Sequence, residues 1–145
     1  MRLGLLKSVL LTFAILTAGF PVFAHHGSSI TYNMKKTITL QGTVVEFVYT
    51  NPHCQIYFDV KDDKGNLVRW GGETMAPRLV VKAGLVKGTL KAGDPITIKV
   101  FPAKAGTNFG LVQSMTIPGG QTISLISLED AASRSDIGSK SDSEK

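Results

Sequence analysis

The stretch Cys54–Gly71, CQIYFDVKDDKGNLVRWG, constrains the fold more than any other part of the chain. Cys54, Ile56, Phe58 and Val60 alternate with Gln55, Tyr57 and Asp59. A period of two lines one face of a strand with the apolar set, whereas a helix would scatter the same residues around its surface. Asp62–Asn66 supplies turn residues, and the returning run puts Val68 and Trp70 on one side. The stretch predicts a β-hairpin with one face in a core.

Three other runs have the same character. In Thr37–Tyr49, TITLQGTVVEFVY, Ile38 and Leu40 share one parity and Val45, Phe47 and Tyr49 the other. A bulge near Gly42 would reconcile them by bending one long strand around a corner. Pro95–Phe101 carries Ile96, Ile98 and Val100 on one face. Phe109–Ile117 sets Phe109, Leu111, Met115 and Ile117 on one parity. Pro118-Gly119-Gly120 then turns the chain into QTISL. A single helix is predicted between the third and fourth strands, with Pro77 at its first position and Gly84 just past its end. Ala76 would be its N-cap, which forgoes about 1 kcal/mol relative to Ser or Asp. Five to six short strands with one short helix predict an all-β fold, a small OB-like Greek-key barrel, over residues 37–128. A β-sandwich is the alternative.

The segments outside that domain differ in composition. Residues 1–24 combine Arg2 and Lys7 with about a dozen mostly apolar residues, then Pro21 and Val22-Phe23-Ala24, the pattern of a cleaved signal peptide. The apolar run falls short of the roughly 20 residues that span a bilayer. Without a following cysteine, no lipid attachment is expected. The expectation is therefore a periplasmic or secreted protein with no membrane anchor after cleavage. About 120 residues would remain, enough for one domain with a real core. Residues 25–36 read as an N-terminal arm. Residues 129–145 read as a disordered polar tail, too poor in large apolar groups to offset their ordering entropy. Loss of Arg2 and Lys7 lowers the formal net charge of +5 by two, and no dense basic run follows, so no nucleic acid is implied. Cys54 is the sole cysteine, which excludes an internal disulfide.

HHGSSITYNMKKTITLQGTVVEFVYTNPHCQIYFDVKDDKGN, followed by LKAGDPITIKVFPAKAG, resembles a family of small exported bacterial proteins, domain of unknown function 6152. The resemblance covers nearly all of His25 to Leu125. Its most specific pieces are His25-His26, Thr50-Asn51-Pro52-His53 and Gly93-Asp94. It implies an exported β-domain whose activity is not established. Two positions depart from the pattern: Ala76 stands where Ser is expected before the proline, and Cys54 where an apolar or small residue usually follows His53.

The chain has three histidines, His25, His26 and His53. Cleavage after Ala24 would make His25 the first residue. A terminal His offers its α-amine and ring Nδ1 to one metal, and another imidazole completes a three-nitrogen set suited to planar Cu(II). The amine must lose its proton, and an ordinary pKa near 8 lets a metal drive this. The expected site is copper held by His25 and His53, with His26 as alternative ligand or as a support to the other two. A His at position two can also chelate through its own amide nitrogen. Gly27 at position three excludes the tighter motif that needs His there. The bland alternatives are a polar arm that binds copper or zinc weakly, and a His53 that caps the Asn51-Pro52 turn.

If Cys54 faces the core, His53 must face outward beside Gln55 and Tyr57, which separates the two and makes Cys54 an inert thiol. A Cys-His-Met centre using Met34, Met75 or Met115 is disfavoured for the same reason. Glu46, Asp59 and Glu73 read as solvated carboxylates. No acid/base pair, phosphate loop, nucleophile elbow or zinc spacing is visible, so a hydrolytic enzyme is not indicated. Asp62 and Asp63 lack calcium-loop spacing. Tyr49, Tyr57 and Trp70 could line an aromatic stacking face, although Trp70 shares the core parity of Val68. The sequence thus supports copper binding or handling, with a metal-free module for a partner protein or small ligand as the alternative. Oxidative copper catalysis would need an open coordination position and a substrate groove.

Overall fold

The computed structural model describes residues 30–126. Among the described residues there are six strands: β1 (Ile38–Val48), β2 (Gln55–Lys61), β3 (Leu67–Glu73), β4 (Pro95–Pro102), β5 (Phe109–Thr116) and β6 (Thr122–Ser124). One helix, α1 (Pro77–Lys82), lies between β3 and β4. The sheet order is β3-β2-β1-β4-β5-β6, and a parallel pairing of β3 with β5 joins the two sides. Five strands therefore close on themselves, with β6 appended to β5. This is a small OB-like Greek-key barrel, one closed sheet and not two facing ones.

The hairpin forms in the register its pattern requires: Lys61 pairs with Leu67 and Gln55 with Glu73. Cys54, Ile56 and Phe58 are buried completely and join Val44, Ile98, Val100, Val112 and Met115 in the barrel core. Trp70 packs against that core from its rim.

Two strands change phase, one away from the expected position and one where no change is expected. In β1 the ladder to β2 slips between Val44 and Glu46, so Val45 is the extra residue and Val44, not Val45, is in the core. Gly42 serves the bend differently: a Cβ there would lie 2.8 Å from Asp59 O and from a Phe58 ring carbon. In β5 the ladder to β4 slips around Gln113, because Lys99 faces Ser114 while Val100 faces Val112. The strand thus switches sides. Met115 and Val112 enter the barrel, whereas Leu111 and Phe109 join Phe101, Tyr32 and Ile126 in a second, smaller cluster outside it. A single parity for Phe109 to Ile117 is corrected accordingly.

α1 begins at Pro77 after Ala76, which makes no side-chain cap. It ends in a Schellman turn: Leu85 N–H donates to Val80 O and Gly84 N–H to Val81 O, with Gly84 at φ 105°. Val80 and Leu85 are buried by this turn and cover one end of the barrel. Tyr49 O–H donates to Leu85 O there. The same end carries the finish of β1, the start of β2 and the finish of β3.

Candidate functional site

β2 and β3 meet at this end, and their register decides what is adjacent. Cys54 N–H donates to Met75 O and Thr74 N–H to Cys54 O, which extends the ladder past Gln55. His53 therefore lies diagonally across from Glu73 on the outer face, and such diagonal pairs are within reach of long side chains. The Asn51–Pro52 peptide preceding it is cis. His53 Nδ1 stands 2.7 Å from Glu73 Oε1, with the imidazole about half exposed.

The other carboxylate oxygen is also taken. Tyr32 O–H donates to Glu73 Oε2 at 2.7 Å. Tyr32 is only 4 % exposed and packs against Phe101, Leu111 and Ile126. The arm is thereby fixed to the barrel: Tyr32 bridges Ala103, Asn33 N–H donates to Pro102 O and Lys104 N–H to Thr31 O. Burial raises the Tyr32 phenol pKa, as do the hydrogen bond and the negative charge of Glu73. Tyr32, Glu73 and His53 form one chain of contacts from the arm to the start of β2.

With Nδ1 committed to the carboxylate, His53 has Nε2 left to bind a metal or donate to a ligand. A carboxylate behind an imidazole fixes ring orientation and raises ligand basicity, an arrangement typical of metal-bound histidines. Among the described residues, no three His, Cys, Asp or Glu side chains converge as a metal cage. His53 would thus need ligands from elsewhere. His25 and His26 lie outside the described residues.

The remaining sequence candidates fall into place. Cys54 is fully buried on the opposite face from His53, and burial raises its thiol pKa. Met115 is core, Met75 packs against the barrel core and Met34 against the outer cluster. Asp59 pairs with Arg69 across the hairpin. Asp62 organises its turn by accepting hydrogen bonds from Asn66 and Lys64, which lower its pKa. Gly93 and Asp94 are structural: Gly93 N–H donates to Val44 O and Val44 N–H to Asp94 O, carrying the β1–β4 ladder to the bulge. On the outer face of β2, Tyr57 O–H donates to Gln55 Oε1. Phe109 lies over Gly71, where a Cβ would meet its ring at 2.4 Å.

Glu73 is the residue that sequence reasoning misplaced, as a solvated carboxylate. The signal was present: once the Asp62–Asn66 turn sets the hairpin register, Glu73 and His53 fall on one face two positions apart. Tyr32 gave no such signal, because it joins the site from a distant segment.

A family model described as a family of unknown function matches residues 14–113. No curated protein matches the chain. Among solved structures, the crystal structure of yeast Stn1 and Ten1 is similar, at 12 % identity and a TM-score of 0.36. The match covers 72 % of this chain and 52 % of that one, so this chain spans about half of its length.

Proposed function

The chain belongs to this family of unknown function, DUF6152, and from its own residues we propose that it is an exported copper-binding protein using His25 and His53. The observation that carries the reading is the pairing of His53 Nδ1 with Glu73, which leaves Nε2 as the coordinating nitrogen. A second feature supports it. Tyr32 ties the arm to the same carboxylate, and seven residues of chain, at most about 25 Å, separate it from His25. Cleavage after Ala24 would supply the other two donors, the His25 amine and its Nδ1. His26 serves as alternative ligand. Three nitrogens in this set favour Cu(II) over other divalent first-row metals.

The alternative is a metal-free module that takes a partner protein or small ligand on the barrel face. The half-buried Tyr57 and Phe109 on the outer surface of β2 and β5 favour it.

Cu(II) titration of the chain beginning at His25, beside the same chain with three extra N-terminal alanines, which place no His at positions one to three, tests the proposal. Tight one-to-one binding is expected for the first and its loss for the second. In the chain beginning at His25, His53→Ala should weaken binding, and Glu73→Gln should weaken it about 10- to 100-fold. Equal, weak binding by both forms would sink the copper reading and favour the barrel-face module.

A further inference from the structure

The cations of the domain are unevenly matched by anions. Residues 77–91 carry Arg78, Lys82, Lys87 and Lys91 and no acid, whereas the rest of the described residues hold seven cations and six anions. Read along the chain these four are merely spaced out; α1 and its Schellman turn bring Arg78, Lys82 and Lys87 to one cap of the barrel, while Lys91, whose N–H donates to Asp94 Oδ2, leads into β4. α1 rests on the core through Val80 alone, which is fully buried. At about 100° per residue, Arg78 and Lys82 fall opposite Val80, with Leu79 and Val81 flanking them. Leu79 and Val81 are 48 % and 46 % exposed. Past the turn, Leu85 is buried while Val86, at 50 %, and Lys87 face outward. Neither ion pair among the described residues involves any of the four cations.

We propose that this cap is a peripheral docking surface for a bilayer rich in anionic phospholipid. The chemistry selects the occupant. Exposed branched aliphatics interleaved with unmatched cations fit an acyl–headgroup boundary, where the aliphatics enter shallowly and the cations meet phosphates. Lys stems can lie along the apolar surface while their charges stay at headgroup level. The core of a protein interface is instead depleted of Lys, whereas residues 77–91 carry three. The surface is independent of copper binding, although it lies at the barrel end that carries His53 and Glu73.

The test is co-sedimentation of the chain beginning at His25, which keeps every described residue, with phosphatidylcholine vesicles that contain or lack phosphatidylglycerol. Binding is expected only when phosphatidylglycerol is present, and should fall as salt rises. Lys82→Gln with Lys87→Gln should weaken it about 25-fold, at roughly fivefold per cation. Leu79→Ser with Val86→Ser should weaken it about tenfold or more through lost apolar burial. Lys82 and Lys87 are exposed, so their double variant should melt with the wild type, whereas Leu79 and Val86 are half-buried, so theirs should stay folded with a modestly lower melting temperature. Failure to bind phosphatidylglycerol vesicles, or unchanged binding in either double variant, would overturn the proposal. Binding to polyglutamate but not to vesicles would do the same and assign the cap to an acidic protein.

Discussion

Tyr32 and Glu73 show how one buried contact sets a pH response. The phenol is ordinarily half ionised at 10.0, and burial together with Glu73 raises that value in the folded protein. Above pH 10 the unfolded chain releases this proton while the folded chain keeps it, so the folded state binds more protons and stability falls as pH rises. Tyr49, raised mainly by its own burial, acts in the same direction. Urea unfolding followed from about pH 9 to pH 11 should show this decline. Tyr32→Phe should flatten it and cost about 0.5–1.5 kcal/mol at neutral pH through the lost hydrogen bond. An unchanged slope in the variant would show that Tyr32 is not the responsible group. At this scale the sequence told the facing of His53 and Cys54 correctly, because parity is local. It did not reveal that Glu73 is held from two sides, because one of its partners comes from 41 residues away.

Among the elements, the parallel pairing of β3 with β5 is the step that turns a curved sheet into a barrel. Gly71 pairs with Phe109 in it, and Gly71 N–H donates to Asn108 O. The Phe109 ring occupies the space a side chain at position 71 would need. Gly71→Ala is therefore expected to push Phe109 off the seam and cost about 1–3 kcal/mol. Adding Phe109→Ala removes the clash, so the double variant should be less destabilised than the sum of the singles. Additive losses in denaturant titrations would refute this account of the glycine. The strands, the hairpin turn and the helix boundaries at Pro77 and Gly84 were legible, since each rests on residues within a few positions of one another. The bulge in β1 is expected near Gly42 and falls at Val45, and the one in β5 is not foreseen. A phase change can be read in a sequence only as a conflict of parity, and Val44-Val45 and Val112-Gln113 each satisfy more than one resolution of it.

For the whole molecule, the barrel core must supply the stability unaided, because Cys54 has no partner for a disulfide. The thiol reports on that core. It is fully buried, so thiol reagents should reach it only when the barrel opens. Phe58→Ala, at another fully buried site, should cost about 3–5 kcal/mol. It should speed Cys54 labelling about a hundredfold or more, if labelling tracks the open population. Labelling at the same rate in both would place Cys54 in a locally opening region instead. The sequence alone determined the strand-rich composition, the place of the helix, the inward set of β2 and the exposure of His53, because period-two patterning and turn chemistry act over short distances. Only the tertiary structure decided that β3 meets β5, that β5 feeds two separate clusters, that Tyr32 and His53 share Glu73, and that three spaced cations crown one end of the barrel. Each of these brings together residues remote in the chain, and closure of the sheet, not local preference, sets which of them meet.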